Sequence, residues 1–170
     1  MATNENRKNF IKRHKEMGLC IECTNKVEKG HTRCQECLKR KADWTSKKRK
    51  EAIAQGLCRY CLKESASMRS QLCKKCYLKD TSSRHFGTTK YWVNLQRLFE
   101  KQKEQCACSG VSLVLGENTE LDHIIPTSTN GENSLNNVQW VLDKVNRIKN
   151  NMTQDEFVDL VTKIYNWSLR

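Results

Sequence analysis

Gly18-Leu19-Cys20-Ile21-Glu22-Cys23 returns later in the chain as Gly56-Leu57-Cys58-Arg59-Tyr60-Cys61. Each copy is followed by a second pair, Cys34-Gln35-Glu36-Cys37 in the first and Cys73-Lys74-Lys75-Cys76 in the second. The offset is 38 residues at the leading pairs and 39 at the trailing ones, the mark of an internal duplication. A Cys-x2-Cys step puts two sulfurs on one turn within reach of one ion, so each repeat supplies the four thiolates of a tetrahedral Zn²⁺ site. The expectation is two structural zinc ions, one on Cys20, Cys23, Cys34 and Cys37 and one on Cys58, Cys61, Cys73 and Cys76. His31, in the turn Lys29-Gly30-His31, is surplus to the first set. Neither repeat can bury much surface alone, so metal binding must supply much of its folding free energy.

Working outward, Met1 to Lys15 is polar and basic, with no apolar leader segment, so ten cysteines point to metal in a reducing, intracellular setting rather than to disulfides. No apolar run approaches the length that crosses a bilayer, so a soluble chain without a membrane partner is expected. A hydrophobic fraction of 37% over 170 residues allows one modest core, and any second module must be stapled. The fold class that follows is α+β, small and metal-stapled.

The net charge of +12 is unevenly spread: residues 1–90 hold 23 Lys/Arg against 9 Asp/Glu, a net +14, and residues 91–170 hold 8 against 10, a net −2. Segregation of this kind points to a polyanion held by one half and processed by the other. Arg7 to Met17 reads as a basic helix stopped by Gly18, and the stretch from Leu38 to Gln55 as another stopped by Gly56. Lys39, Arg40, Lys41, Lys47, Lys48 and Arg49 on the second are candidate phosphate contacts.

Asp80 to Thr89, with Ser82-Ser83 and Gly87-Thr88-Thr89, reads as a linker, which divides the chain into a duplicated zinc-binding region (1–80), a linker (81–90) and a C-terminal domain (91–170). Trp92, Leu95, Leu98 and Phe99 recur at helical spacing and predict a core-facing helix over Tyr91 to Glu104. Strands are expected at Val111 to Leu115 and Glu120 to Ile125, with a turn at Gly116-Glu117-Asn118 between them. Val138 to Val141 fits a strand end or a helix entry, and Asp143 to Asn150 a helix. Thr153-x2-Glu156 is a capping box that opens a last helix, whose apolar face of Phe157, Leu160, Val161 and Ile164 is expected to pack on Trp92 and Phe99. Cys106-Ala107-Cys108 is too closely spaced for paired ligation and reads as structural thiols.

The chemistry-bearing residues lie between these elements. On a strand, Asp122 and His123 point to opposite sides, so one can face a cation while the other faces a substrate. Asn146 lies on the following helix, with Lys149 and Asn150 about one turn further on. One carboxylate with neutral amide oxygens is a hard-ligand set suited to Mg²⁺ rather than Zn²⁺. A lone histidine on an apolar strand, as His123 would be without these neighbours, is more often structural than catalytic.

Asp122-His123-Ile124-Ile125-Pro126, then Asn133-Ser134-Leu135-Asn136-Asn137-Val138-Gln139-Trp140, then Asn146-Arg147-Ile148-Lys149 together resemble the HNH (ββα-metal) nuclease family in its His-Asn-Asn form. The separations of 14 residues from His123 to Asn137 and 23 to Asn146 suit that family's hairpin, loop and helix. The resemblance covers roughly Cys106 to Asn150. It implies a ββα-metal finger flanked by helices, with His123 as the general base toward water. Asp122 and Asn146 would hold one divalent cation, and Asn137 would pin the loop and orient His123. Cleavage would leave a 5′-phosphate and a 3′-hydroxyl. Lys149 and Arg147 would add positive charge at the phosphate. Many relatives fasten this finger with two Cys-x2-Cys pairs. Here Leu142 and Val145 stand in the second region, so hydrophobic packing is expected in place of a third zinc.

A small nuclease with an appended DNA-binding half is similar to homing and phage enzymes of this family, which implies site-specific cutting of double-stranded DNA, bound by a monomer or by a homodimer on the DNA. The alternative is a zinc-dependent DNA- or RNA-binding regulator whose nuclease-like half is a scaffold. On the first reading, the chain from Tyr91 onward keeps the chemistry by itself and loses most of its DNA affinity and selectivity.

Overall fold

The computed structural model describes residues 4–170, and the chain divides into two compact units between Glu51 and Ala52. Helix α1 (Asn4–Glu16) opens the first unit, and α2 (Gln35–Ala54) runs from it into the second. The second unit continues with α3 (Lys74–Phe86), α4 (Trp92–Lys101), β1 (Thr119–His123), β2 (Val138–Leu142), α5 (Asp143–Lys149) and α6 (Gln154–Ser168). Among the described residues no helix is long and apolar enough to cross a membrane.

The duplication is visible in backbone geometry. Gly18 and Gly56, at φ +64° and +69°, end α1 and α2 in the left-handed region that favours glycine. The Cys20 N–H then donates to Asn25 O at 2.9 Å and the Cys58 N–H to Glu64 O at 2.8 Å. A third copy, which the residue pattern did not reveal, follows α4. Glu104 takes the left-handed position at φ +58°, and the Cys106 N–H donates to Val111 O at 2.8 Å. Each turn carries one isolated bridge, Leu19 to Lys26, Leu57 to Ser65 and Gln105 to Ser112. The third turn occupies the place where a strand over Val111 to Leu115 was expected.

The expected linker is helix. Asp80 to Phe86 completes α3, with Thr81 and Ser82 buried. Its serines suggest a loop, but Ser82 Oγ donates to Thr88 O at 2.6 Å and accepts from the Tyr91 N–H at 3.2 Å, tying α3 to the start of α4. The second cysteine repeat is thereby built into the core of the second unit. Leu72, Tyr77 and Leu78 share one core with Leu95, Phe99, Leu121, Val138, Trp140 and Val141. Trp140 is fully buried at its centre, donating from Nε1 to Leu95 O at 2.9 Å and meeting Phe99 edge-on at 5.9 Å. Tyr77 reaches Thr119 O on β1 through its hydroxyl at 2.5 Å. The division into compact units falls at 51/52, and residues 80–86 of the expected linker belong to α3. Charge is redistributed with it: residues 1–51 hold 15 Lys/Arg against 7 Asp/Glu, net +8, and residues 52–170 hold 16 against 12, net +4. The second unit is basic once its cysteine repeat is counted.

Helix α6 has the predicted capping box, with Thr153 Oγ1 accepting from the Glu156 N–H and the Glu156 carboxylate accepting from the Thr153 N–H. Its expected packing on Trp92 and Phe99 does not occur: only Phe157 is buried, while Val161, Ile164 and Trp167 are exposed. The physical reason is prior occupancy. Lys75 and Lys79 of α3 lay their ammonium groups over the Trp92 ring at 5.3 and 5.8 Å, and Trp140 and Lys74 cover Phe99.

Candidate metal and nuclease sites

Two four-cysteine clusters fit zinc modules. In each set, Cys20, Cys23, Cys34 and Cys37, and Cys58, Cys61, Cys73 and Cys76, all four Sγ atoms lie within 4.8 Å of one another. Cys23 Sγ is 3.6 Å from the sulfurs of Cys34 and Cys37, and Cys61 Sγ is 3.8 Å from that of Cys73. Zn–S bonds of about 2.3 Å in a tetrahedron give an S···S edge of roughly 3.8 Å, so the cages have the right size; a disulfide would need about 2 Å. Burial works to raise the Cys20 thiol, but N–H groups of Cys34, Glu22 and Cys23 outweigh it and bring it down to about 6. At Cys58 the N–H groups of Cys61, Cys73 and Tyr60 outweigh burial in the same way, again to about 6. Burial drives Cys37 up to about 12. One sulfur of each cage is thus prepared as a thiolate, the form that binds metal.

The cages are also held from outside. His14 Nδ1 donates to Cys20 O at 2.7 Å, and Arg40 Nη2 donates to Cys37 Sγ at 3.3 Å. Arg40 is therefore partly committed to the first cage, although its side chain remains mostly exposed. Lys39, Lys41, Lys47 and Arg49 project from α2 without an ion pair among the described residues, while Lys48 meets Glu51 at 2.9 Å.

Around Cys106 no third cluster forms among the described residues. The Cys106 sulfur accepts from the Leu142 N–H at 3.3 Å, and Leu142 and Val145 pack against the core. Cys108 donates to Gln154 Oε1 at 3.4 Å.

The second site lies where β1 and β2, antiparallel with Asp122 opposite Gln139 and His123 opposite Val138, meet α5. Alternation puts Glu120 and Asp122 on one face of β1, and helical spacing puts Asn146 and Lys149 on one side of α5. They meet as two rungs. Asn146 Nδ2 donates to Glu120 Oε2 at 2.6 Å, and Lys149 Nζ donates to Asp122 Oδ2 at 3.0 Å. Because a carboxylate can only accept, Glu120 turns the Asn146 amide so that its Oδ1 faces away and stays open. Gln139 Nε2 also bonds Asp122 Oδ2 at 3.3 Å, and neither Asp122 Oδ1 nor Asn146 Oδ1 has a hydrogen-bond partner among the described residues. Two unengaged hard oxygens are a donor set that fits a divalent cation of the Mg²⁺ type.

Lys149 was expected at a phosphate, and the structure puts it elsewhere. Its side chain is 0% exposed, bonded to Asp122 and, at 3.0 Å, to His123 O. Its four-carbon stem reaches inward from the last turn of a short helix, and an ammonium buried there needs both partners. Arg147 is exposed, 4.0 Å from Asp143 Oδ2, which Arg69 of the second zinc repeat binds at 2.6 Å.

His123 is half-buried, with Nε2 3.2 Å from Asn133 Oδ1 and its ring 5.7 Å from that of His85. Burial, and after it the charge of His123, hold the His85 imidazole down at about 4. Asn137 clamps the preceding loop: Oδ1 accepts from the Ile125 N–H at 2.9 Å, and Nδ2 donates to Ile125 O and Glu132 O, each at 2.8 Å. Gly131 is required in that loop because a Cβ there would overlap Ile125 O. Glu120, Gln139, Asn133 and His85 have no site role in the sequence reading. Strand alternation from Asp122 could have found Glu120. His85 was hidden in the supposed linker. Beside these residues a cleft of ≈ 450 Å³ opens between α3 and β1, lined by Arg69, Tyr77, Arg84, His85, Glu120 and Asn146.

A two-stranded hairpin followed by a short helix, presenting a carboxylate, an imidazole and an amide at their junction, defines a ββα unit of the metal-dependent nuclease type. Residues 110–154, roughly a quarter of the chain, match the family model described as HNH endonuclease. That family uses a divalent cation and acts on DNA. No curated protein matches the chain.

Proposed function

We propose that the protein is a site-specific DNA endonuclease that hydrolyses phosphodiester bonds with one divalent cation, Mg²⁺, held by Asp122 and Asn146. The observation that carries this reading is the pair of rungs that leaves Asp122 Oδ1 and Asn146 Oδ1 open beside His123. The cation, when bound, supplies charge stabilisation at the scissile phosphate. His123 takes a proton from the attacking water; the new P–O bond forms as the bond to the 3′ oxygen breaks, and that oxygen is protonated by solvent. Asn137 keeps the loop after β1 closed, and Lys149 positions Asp122 and the His123 carbonyl. Lys39, Lys41, Lys47, Lys48 and Arg49 of α2, with Arg40 and Arg147, contact phosphates of double-stranded DNA, giving affinity that falls with salt. The two zinc ions are structural. A homing-like role follows from joining this chemistry to a separate basic zinc unit.

One observation favours the second reading, a nucleic-acid-binding regulator on a nuclease-like scaffold: the Lys149 ammonium already neutralises Asp122. Plasmid nicking with Mg²⁺ or Mn²⁺, comparing the full chain with His123→Ala, separates the two. The nuclease reading requires nicking by the first and its loss in the second with DNA binding kept. Equal binding with no cutting under either ion would leave the regulator.

A further inference from the structure

The His123 imidazole has two ring nitrogens, and only one can be the base. The surroundings decide which. Asn133 bridges His123 and α3: its Nδ2 lies 2.6 Å from the backbone oxygen of His85, and its other terminal atom lies 3.2 Å from His123 Nε2. A carbonyl oxygen only accepts, so the amide group facing His85 must be the NH2, and the atom facing His123 must be the oxygen. An amide oxygen in turn only accepts, so Nε2 must carry the proton. His85 O is suited to anchor this chain because it belongs to the last turn of α3, where carbonyls have no partner within the helix. Its neighbour Ser83 O is already taken by the N–H of Gly87, which ends α3 at φ +67°. The rest of His123 is fixed independently, its carbonyl by Lys149 Nζ and the residues after it by Asn137.

We propose that Asn133 is a positioning residue that locks His123 in the Nε2-protonated tautomer, through the carbonyl of His85, and so makes Nδ1 the atom that receives the proton of the attacking water. The helix that closes the second zinc repeat thereby sets the protonation pattern of the base. The tautomer itself follows from hydrogen bonding alone; the role of Nδ1 rests on the nuclease reading above.

Long-range ¹H–¹⁵N correlation spectra of the histidine rings, recorded on the zinc-loaded full chain, report the tautomer directly. The His123 signals are identified by their loss in His123→Gln. The full chain should show a protonated Nε2 and an unprotonated Nδ1. Asn133→Ala should bring both nitrogens toward averaged shifts and lower kcat about 10-fold with KM and zinc content unchanged. Asn133→Asp, whose carboxylate can accept from Nε2 but has no N–H to give to His85 O, should leave the spectra between those of the full chain and of Asn133→Ala. A protonated Nδ1 in the full chain, or spectra unchanged in Asn133→Ala, overturns the proposal. A chain that shows the Nε2–H tautomer but never cuts DNA retains the bridge and refutes the nuclease reading. Cutting with the opposite tautomer does the reverse.

Discussion

Removing everything before Tyr91 should unfold the nuclease-like unit, whereas cutting the chain before Ala52 should leave it intact. The shorter fragment lacks Leu72, Tyr77 and Leu78, which are 3%, 8% and 0% exposed and pack on Leu95, Phe99 and Trp140. Burial of three such side chains contributes about 5–9 kcal/mol, against roughly 5–15 kcal/mol for the whole stability of a domain. The hydroxyl of Tyr77 on Thr119 O and the buried Ser82 hydroxyl that ties α3 to α4 add about 1 kcal/mol each. The fragment 52–170 keeps these contacts and the second cage, and should melt cooperatively with one zinc per chain. Circular dichroism on heating, zinc content and plasmid nicking on the two fragments test this. A fragment 91–170 that melts cooperatively and cuts DNA would refute the reasoning and reinstate a boundary at the supposed linker.

Lys149→Met leaves the buried Asp122 carboxylate with the Gln139 amide but no cation beside it, and should cost about 3–5 kcal/mol in urea unfolding without divalent ions, with part of the loss recovered in Mg²⁺. His85 is neutral in the fold down to about pH 4, while in the unfolded chain it protonates near its ordinary 6.5. The unfolded state therefore binds more protons between those values, and stability should fall as pH drops from about 6.5 to about 4. Partial exposure screens the shift, so about 1–2 kcal/mol is expected, read as the difference in unfolding free energy between the full chain and His85→Gln across that window. Changing Lys39, Lys41, Lys47 and Arg49 to Gln should reduce the slope of log K against log salt for DNA binding by roughly 3 to 4, with zinc content unchanged.

The features legible in the residues were those written in short spacings. Cysteine pairs, glycine stops, the capping box and the Asp122, His123, Asn137 and Asn146 set all declare themselves within a turn, or within a hairpin and its helix. The features that escaped depend on contacts made at long range. Ser82 and Ser83 are poor helix formers, and tertiary packing overrode that preference by giving the Ser82 hydroxyl two backbone partners. Lys149 lies at the spacing of an exposed phosphate contact, yet its ammonium turns inward because Asp122 and the His123 carbonyl stand one layer below. An amphipathic pattern on α6 said that one face was apolar without saying which surface remained free to receive it, and the lysines of α3 had already covered Trp92. The third cysteine turn was invisible because it preserves the backbone path of the zinc repeats while keeping only one of their four ligands in place.

The most direct measurement is Mg²⁺-dependent cleavage of duplex DNA by the full chain beside His123→Ala, with zinc content and DNA binding recorded on the same samples. Cleavage that ends with the imidazole while two zinc ions and DNA binding persist is the expected result. Undiminished cleavage by His123→Ala, or none by the full chain with any divalent ion, would contradict it.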